Sequence, residues 1–216
     1  MDSPMRTCVI IASGSLDSPR TFLERISRAD LVICADGGAG HLRGMGLIPD
    51  IIVGDLDSIS DEDKAYFDRK QVRFVKHPEK KDATDTALAV DLAVEEGAAD
   101  ITLIGVSGTR MDHTLANVFL LKTLSDRHIA CRMIDTHNEV YLVTDSLEVQ
   151  GRPGDLLSII PAAESARGVT IEGLEYPLEN AQIPMGSSIG ISNVFVGNQA
   201  RINVESGVLI VFKSRD

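Results

Sequence analysis

The order of short apolar runs and amphipathic segments constrains the fold of this chain more than any other feature. Up to about residue 135, runs rich in Val and Ile alternate with longer segments whose apolar residues recur at helical spacing. Such alternation predicts an α/β domain, a Rossmann-like parallel sheet with helices on both faces. The predicted strands are 7–12, 30–35, 51–54, 72–76, 101–106 and 129–134, and the predicted helices are 19–28, 39–44, 61–70, 84–96 and 112–124.

The pattern changes after about residue 136, where no helix is predicted. Short strand-like runs are broken there by Gly, Pro, Asn and Ser. We therefore predict two domains, an α/β domain over residues 1–136 and a small all-β sandwich over residues 137–216. A sandwich of this size has little core of its own, which favours packing against a partner. The predicted strands are 139–144, 155–160, 169–171, 189–196, 200–204 and 208–212.

The charge balance limits the ligands that such a chain can bind. It contains 21 Lys and Arg residues against 32 Asp and Glu residues, a net charge of −11. An acidic surface repels phosphate groups, so nucleic-acid binding is disfavoured, and ATP would need an intervening cation. No apolar run reaches the ~20 residues that span a bilayer, and the N-terminus does not resemble a signal peptide. We expect a cytoplasmic protein with no membrane partner.

Acidic side chains follow four successive predicted strands of the first domain. Because the carboxyl ends of parallel strands meet at one edge of a sheet, these side chains are expected to lie close together. Each has a simpler explanation alone, as a turn residue, a loop residue or a helix cap. Together they would repel one another unless a cation intervened, and Mg²⁺ pairs carboxylates with substrate phosphates. The residues are Asp36, Asp55, Asp57, Asp82, Asp85 and Asp112.

Glycines and cations accompany these aspartates. Gly37 and Gly38 allow close backbone approach, and Lys81 and Arg110 supply positive charge for phosphate oxygens. The combination predicts a metal–nucleotide site. The apolar segment 115–121, which includes Phe119, is assigned to the core.

The motifs, taken in order, resemble those of the thiamine pyrophosphokinase family. Each motif alone is weak, whereas their succession is specific and covers most of the first domain. The sequence departs from the family pattern at Thr109, where a second glycine is usual, and at Val194, where glutamate is usual; it also contains no Trp. The matching motifs are Ala35-Asp36-Gly37-Gly38, Gly54-Asp55-Leu56-Asp57-Ser58, Lys81-Asp82-Ala83-Thr84-Asp85, Arg110-Met111-Asp112-His113 with Asn117, and Ser192-Asn193.

The resemblance implies Mg²⁺-dependent transfer of pyrophosphate from ATP to the hydroxyl of thiamine, giving thiamine diphosphate and AMP. It implies a homodimer with active sites at the subunit interface, an ATP-binding and magnesium-binding first domain, and a second domain that binds thiamine and dimerises. The predicted magnesium ligands are Asp55, Asp57, Asp82 and Asp85, which with the proton acceptor Asp112 form the predicted catalytic set. The predicted ATP contacts are Asp36, Gly37, Gly38, Lys81, Thr84, Arg110 and Asn117, and the predicted thiamine contacts are Asp112, His113, Ser192 and Asn193.

Three other functions are compatible with the same motifs. The motifs that bind metal and phosphate do not identify the alcohol that accepts the pyrophosphate. A pyrophosphokinase for another small alcohol, such as a hydroxymethyl pterin, is therefore an alternative. A metal-dependent phosphohydrolase could use the Asp55-x-Asp57 motif, although the downstream lysine that it needs has no clear candidate. A non-catalytic nucleotide-sensing protein would bind ATP without turnover.

Overall fold

The computed structural model describes residues 5–78 and 83–215, and the chain divides into two compact units, Met1–Thr136 and His137–Asp216. Within the described ranges, no helix is both long and apolar enough to cross a membrane.

The first unit is built on six parallel strands, which confirms the predicted parallel sheet. Their order is β6-β5-β1-β2-β3-β4. Single-turn 3-10 segments at Pro19–Phe22 and Asp36–Gly38 precede α1 and α2. The strands are β1 (Thr7–Ile11), β2 (Leu31–Ala35), β3 (Ile51–Gly54), β4 (Arg73–Lys76), β5 (Asp100–Ile104) and β6 (Ala130–Ile134). The helices are α1 (Leu23–Arg28), α2 (Ala39–Met45), α3 (Asp61–Arg69), α4 (Asp85–Glu95) and α5 (Met111–Asp126).

Helices pack on both faces of this sheet because alternate residues of its buried strands point to opposite sides. On one face, Val9 and Ile52 share a cluster with Phe22 from the turn before α1, Leu42 of α2 and Phe67 of α3. On the other face, α4 contacts β1, β2 and β3, and α5 contacts β6. The inner strands β2 and β3 are therefore buried along their whole length.

The strand order contains one reversal. From β1 the chain adds β2, β3 and β4 on one side, and it then returns to add β5 and β6 on the other side. In open α/β sheets, ligands bind at such a reversal, outside the carboxyl ends of the strands. This rule points to the ends of β1 and β5, next to the loops that follow β2 and β3.

The second unit is an antiparallel β-sandwich, in agreement with the predicted fold class. One sheet has the order β12-β9-β14-β7 and the other β11-β10-β13-β8. Residues from both sheets, including Leu157, Val169, Ile202 and Val211, form one buried cluster. The strands are β7 (Asn138–Val143), β8 (Ser146–Gln150), β9 (Leu156–Pro161), β10 (Ser165–Glu172), β11 (Leu178–Pro184), β12 (Asn193–Val194), β13 (Gln199–Asn203) and β14 (Leu209–Ser214).

One strand prediction in this unit is wrong, and two strands were missed. The predicted strand 189–196 is reduced to the two residues of β12, because Gly190 (φ 84°) and Ser192 (φ 54°) adopt left-handed conformations that interrupt an extended chain. Strands β8 and β11 are not predicted. Both lie at the edge of their sheet, and β11 buries only Ile183, so its apolar alternation is weak.

Candidate active site

Asp36 begins the 3-10 turn after β2 and is almost completely buried, with 3% of its surface exposed. Its backbone is left-handed (φ 40°), a conformation that aspartate tolerates better than most residues. Carboxylate oxygen Oδ2 accepts a hydrogen bond of 3.1 Å from the backbone N–H of Ser58. Oxygen Oδ1 is buried and has no hydrogen-bond partner within the described ranges. A bare, buried carboxylate oxygen is costly unless a cation binds it.

The loop after β3 brings two further carboxylates to Asp36. Leu56 is left-handed (φ 67°), and the backbone N–H of Asp57 donates to Oδ1 of Asp55 at 3.2 Å, which closes the turn. The Ser58 hydroxyl donates to Oδ1 of Asp57 at 2.9 Å. As a result, one carboxylate oxygen each from Asp36, Asp55 and Asp57 lies within 4.8 Å of the others.

Asp85, the first residue of α4, lies against the same group. Gly54 has φ 151°, and a Cβ atom added to it would lie 2.9 Å from Cβ of Asp36 and 3.0 Å from Oδ1 of Asp85. Only glycine fits between these two aspartates. The structure therefore brings Asp36, Asp55, Asp57 and Asp85 together, whereas Asp82 and Lys81, which were predicted with them, lie outside the described residues.

The electrostatics of this group fit a divalent cation. Burial raises the pKa of the Asp36 carboxyl above its usual value, and the negative charges of Asp85 and Asp55 raise it further. A bound cation would reverse this effect by favouring the ionised form. Magnesium takes oxygen ligands at about 2.0–2.1 Å, so oxygens of three carboxylates this close can share one ion. Asp36 was predicted to contact the nucleotide, but its geometry places it among the candidate metal ligands.

A cleft of about 240 Å³ opens between the ends of β1 and β5, at the reversal of strand order. The backbones of the two loops touch there: the N–H of Gly14 donates to the carbonyl of Gly105, and that of Ser15 donates to the carbonyl of Ser107 at 2.8 Å. A Cβ at Gly14 would lie 2.3 Å from the Ser107 carbonyl oxygen, so the approach requires glycine. Sequence reasoning missed Ser13-Gly14-Ser15, although a glycine in a polar turn directly after a strand was a usable signal.

The glycine-lined cleft and the aspartate group adjoin one another. A Cβ at Gly37 would lie 3.1 Å from Cβ of Ser13, beside the cleft, and 3.3 Å from Cβ of Ser58, beside the aspartates. A Cβ at Gly38 would lie 2.4 Å from the Ile11 carbonyl oxygen. Both glycines thus keep the turn after β2 close to the end of β1.

The first turns of α5 shape the far wall of the cleft. Buried Asn117 donates through Nδ2 to the Val106 carbonyl at 2.7 Å, and Thr114 accepts from the N–H of Gly108 at 3.2 Å. Arg110 and His113 also line the cleft. The glycine-containing loop after β5 is therefore held by the helix that follows it.

Arg110 and Asp112 form an exposed ion pair at the start of α5. Nη2 of Arg110 lies 2.6 Å from Oδ2 of Asp112, and Nε lies 3.3 Å from Oδ1. Hydrogen bonding to the guanidinium lowers the pKa of the Asp112 carboxyl. Thr84 caps α4 by accepting from the N–H of Ala87 at 3.2 Å, so its hydroxyl already has a structural task.

In the second unit, Ser192 and Asn193 differ in how accessible their side chains are to a ligand. Ser192 is exposed, and its left-handed backbone is fixed by a hydrogen bond from its N–H to the Ser158 hydroxyl at 2.9 Å. Asn193 is buried, and its amide bonds to both the N–H (3.0 Å) and the carbonyl (2.7 Å) of Tyr176. The Tyr176 side chain is 65% exposed although its backbone is held at both polar atoms. Sequence reasoning did not select Tyr176.

The first unit is an α/β domain with clustered carboxylates beside a glycine-lined cleft at the strand reversal, and the second is a β-sandwich. These features define a class of two-domain α/β proteins with a candidate site for a metal and phosphate groups.

Comparisons with known proteins identify the family within this class. A family model described as "Thiamin pyrophosphokinase, catalytic domain" matches residues 22–133, and one described as "Thiamin pyrophosphokinase, vitamin B1 binding domain" matches residues 144–209. The chain therefore belongs to the thiamin pyrophosphokinase family. This confirms the resemblance and the prediction of an enzyme.

Individual relatives agree along almost the whole chain. Thiamine pyrophosphokinase of Bacillus subtilis (strain 168) is 29% identical over 222 residues, which covers 98% of this chain and 100% of the relative. Thiamine pyrophosphokinase 1 of Oryza sativa subsp. japonica is 28% identical, with coverage of 88% and 81%. The crystal structure of the Bacillus subtilis enzyme superposes with a TM-score of 0.89 at 29% identity, covering 97% of this chain and 99% of that one.

Proposed function

We propose that this chain transfers the pyrophosphoryl group of magnesium-bound ATP to the hydroxyl of thiamine, giving thiamine diphosphate and AMP. The observation that supports the phosphate chemistry best is the meeting of Asp36, Asp55 and Asp57 beside a glycine-lined cleft at the strand reversal. Family membership supports thiamine as the acceptor and disfavours another small alcohol.

Asp36, Asp55 and Asp57 are the proposed magnesium ligands, with Asp85 beside them and Asp82 retained from the sequence. Bound there, Mg²⁺ would neutralise the phosphate charge that develops during transfer. Without such a cation the aspartates would repel ATP, because the group is negative in a chain of net charge −11. The buried Oδ1 of Asp36 supports this assignment, since it otherwise has no partner in the described part of the chain.

The cleft between β1 and β5 is the proposed site for the ATP phosphates. Close packing at Gly14 and Gly105 lines the cleft with backbone, and Arg110 at its edge supplies a planar cation for phosphate oxygens. Asn117 acts as a positioning residue, because its amide holds the loop that lines the cleft. Lys81 remains a proposed phosphate contact from the sequence, as do Gly37 and Gly38 for the nucleotide.

Ser192 and Tyr176 are the proposed thiamine contacts in the second unit. The Ser192 hydroxyl is exposed on a fixed backbone, and the Tyr176 ring is exposed in a chain without Trp. A tyrosine face attracts cations, and the thiazolium of thiamine is positively charged. Asn193 was predicted as a direct contact, but its amide is engaged with Tyr176, so we assign it to positioning that ring.

The assignment of Asp112 as proton acceptor is less well supported than its pairing with Arg110. A carboxylate whose pKa is lowered is a weaker base, which reduces its value in proton transfer near neutral pH. The short, forked contact instead fixes the guanidinium of Arg110. We propose that Asp112 orients Arg110 toward phosphate and that His113, at the same edge, contacts substrate.

A homodimer is supported by an apolar stripe on α5. Met111, Leu115 and Phe119 are spaced by four residues, and 63%, 50% and 51% of their surfaces are exposed. The assignment of the segment 115–121 to the core is therefore wrong for Leu115 and Phe119. The stripe starts beside Arg110 and Asp112, so a second copy seated on it would lie next to the proposed active site.

The test is an acceptor screen with AMP release as the readout. The protein is incubated with ATP and Mg²⁺, with thiamine or a hydroxymethyl pterin as acceptor. We expect stoichiometric AMP and thiamine diphosphate with thiamine and no AMP with the pterin or without acceptor. ADP or phosphate as the product, or ATP binding without turnover, would contradict the proposal.

A further inference from the structure

A second cavity, of about 430 Å³, lies in the first unit away from the aspartate group. Its walls include Thr7 and Asp100, which are the first residues of β1 and β5, together with part of β6 and one side of α1. The aspartates instead follow the far ends of β2 and β3. A five-residue strand such as β1 spans about 16 Å, so the two sites lie at opposite ends of the sheet.

The sheet face that lines this cavity changes from apolar to polar along β5 and β6. Ile104 and Ile134 are buried in the same cluster as Phe22. Two residues earlier on the same face, Thr102 and Arg132 lie opposite each other in register. The covered faces of parallel sheets are normally apolar, so packing does not explain a threonine and an arginine there.

Arg132 has donor capacity that its protein partners do not fill. Its side chain is 31% exposed; Nε donates to the Thr102 hydroxyl at 3.3 Å and Nη2 to Oδ2 of Asp100 at 3.4 Å. Both distances exceed the usual range for such bonds, and a guanidinium has five N–H donors. Thr102 is buried and accepts the bond from Arg132, so its own hydroxyl proton can be donated to a further acceptor.

The charge of the lining is positive, unlike that of the chain. The lining contains Arg25, Arg28 and Arg132 against Glu24 and Asp100, which gives 3 − 2 = +1 in a protein of net charge −11. Arg28 pairs with Glu24 at 2.8 Å. The exposed Arg25 side chain forms no ion pair or hydrogen bond within residues 5–78 and 83–215. A positive concave surface concentrates anions.

We propose that this cavity binds a small anion bearing a phosphate or diphosphate group. Arg132 and Arg25 neutralise its charge, and the Thr102 hydroxyl donates a hydrogen bond to a phosphate oxygen. The forked geometry of guanidinium groups matches phosphate oxygens. The volume falls within the roughly 300–1,000 Å³ range of small-molecule sites, so an organic group attached to the phosphate also fits. The site is independent of the pyrophosphoryl transfer proposed above.

The test is a calorimetric titration of the full chain with pyrophosphate in the presence of EDTA, so that no divalent cation can hold the anion at the aspartates. We expect one site per chain. Arg132→Gln and Arg25→Gln should each weaken binding about tenfold or more, the loss expected for a charge-assisted hydrogen bond. Arg69→Gln, an exposed arginine on α3 outside the cavity, is the matched control and should leave the affinity unchanged.

Further variants and competition titrations identify the site and the ligand. Asp57→Ala should bind pyrophosphate with the same affinity as the unsubstituted protein. Circular dichroism should show that Arg132→Gln is folded. Because Arg25 is exposed, Arg25→Gln is the cavity variant that disturbs the fold least. Competition by inorganic phosphate, AMP or thiamine diphosphate would show which phosphorylated group the cavity prefers. No binding at millimolar pyrophosphate, equal affinity in both cavity variants, or loss of binding in Asp57→Ala would overturn the proposal.

Discussion

Asp36 combines burial, negative charge and a carboxylate oxygen without a partner in the described ranges, and each property has a local cause. The left-handed turn after β2 directs the side chain inward, Ser58 satisfies only Oδ2, and Gly54 allows Asp85 to approach. Such a group destabilises the fold when ionised without a cation. It is therefore a residue at which metal binding and stability should be measurably linked.

Asp36→Asn should stabilise the metal-free protein and abolish its stabilisation by Mg²⁺. The folded-state pKa of Asp36 is raised above its ordinary value of 3.8, so the folded chain holds this proton more tightly than the unfolded chain. The stability that the protonated Asp36 contributes is therefore lost as the pH rises from 3.8 through the raised folded-state pKa. Above that pKa, the free energy of unfolding of the metal-free variant should exceed that of the unsubstituted protein by about 1–2 kcal/mol. Thermal unfolding at several pH values, with and without Mg²⁺, measures both effects; Asp61→Asn is the control. An identical response of variant and unsubstituted protein to Mg²⁺ would contradict the assignment.

Tyr176→Ala should raise the KM for thiamine by about tenfold while the KM for ATP stays unchanged, because a cation–π contact contributes roughly 0.5–2 kcal/mol. Tyr176→Phe keeps the ring and should retain most of the affinity. Steady-state kinetics with each substrate varied in turn provide the measurement. A change in the KM for ATP alone would remove Tyr176 from the thiamine site.

Asp112→Asn separates proton acceptance from positioning. If Asp112 orients Arg110, as the forked ion pair suggests, the KM for ATP should rise several-fold and the pH dependence of kcat should keep its shape. If Asp112 accepts the proton, kcat should fall by about 100-fold or more at all pH values. Single-turnover AMP formation across pH 5–9 distinguishes the two roles.

At the scale of elements, the strand-end loops were the most predictable part of the site. Hydrophobic periodicity located the strands, and the topology of parallel sheets then brought Asp55, Asp57 and Asp85 to one edge. The inclusion of Asp36 among them could not be predicted, because it depends on a positive φ angle and on the placement of Ser58. Ser13 and Gly14 were missed because their role depends on contact with the loop after β5.

Edge strands and α5 show where hydrophobic patterns do not predict the structure. Strand β11 is largely exposed, so it lacks the alternation that identified buried strands. In α5, Val118, Leu121 and Leu124 are buried, while Leu115 and Phe119 form a second apolar side that is exposed. Periodicity finds apolar faces, but it does not tell which of two faces meets the core and which meets a partner.

Phe119→Glu should shift the protein from dimer to monomer, because it places a charge in the middle of the exposed stripe on α5. Lys64→Glu, at an exposed position of α3 away from the stripe, is the control and should remain dimeric. Analytical ultracentrifugation gives the oligomeric state, and AMP release gives the activity. A monomeric unsubstituted protein, or a dimer that tolerates Phe119→Glu, would show that the stripe is not the interface.

For the whole molecule, the proposal divides the work between two units. The α/β unit would hold magnesium-bound ATP, and the β-sandwich would supply Ser192 and Tyr176 for thiamine. Each unit matches its own family model, one named for catalysis and one for vitamin B1 binding. Substitutions in one unit should therefore affect one substrate selectively.

In the proposed active site, carboxylates from separate loops hold a divalent ion that carries the phosphates of ATP. The most direct measurement is a calorimetric titration of a non-hydrolysable ATP analogue in saturating Mg²⁺ into the unsubstituted protein, Asp57→Ala and Asp61→Ala. Asp57→Ala should bind the analogue at least about tenfold more weakly, as the loss of one charged ligand implies. Asp61→Ala, an exposed aspartate four residues further on, should match the unsubstituted protein. Equal affinity of the Asp57 variant and the unsubstituted protein would contradict this metal-binding role.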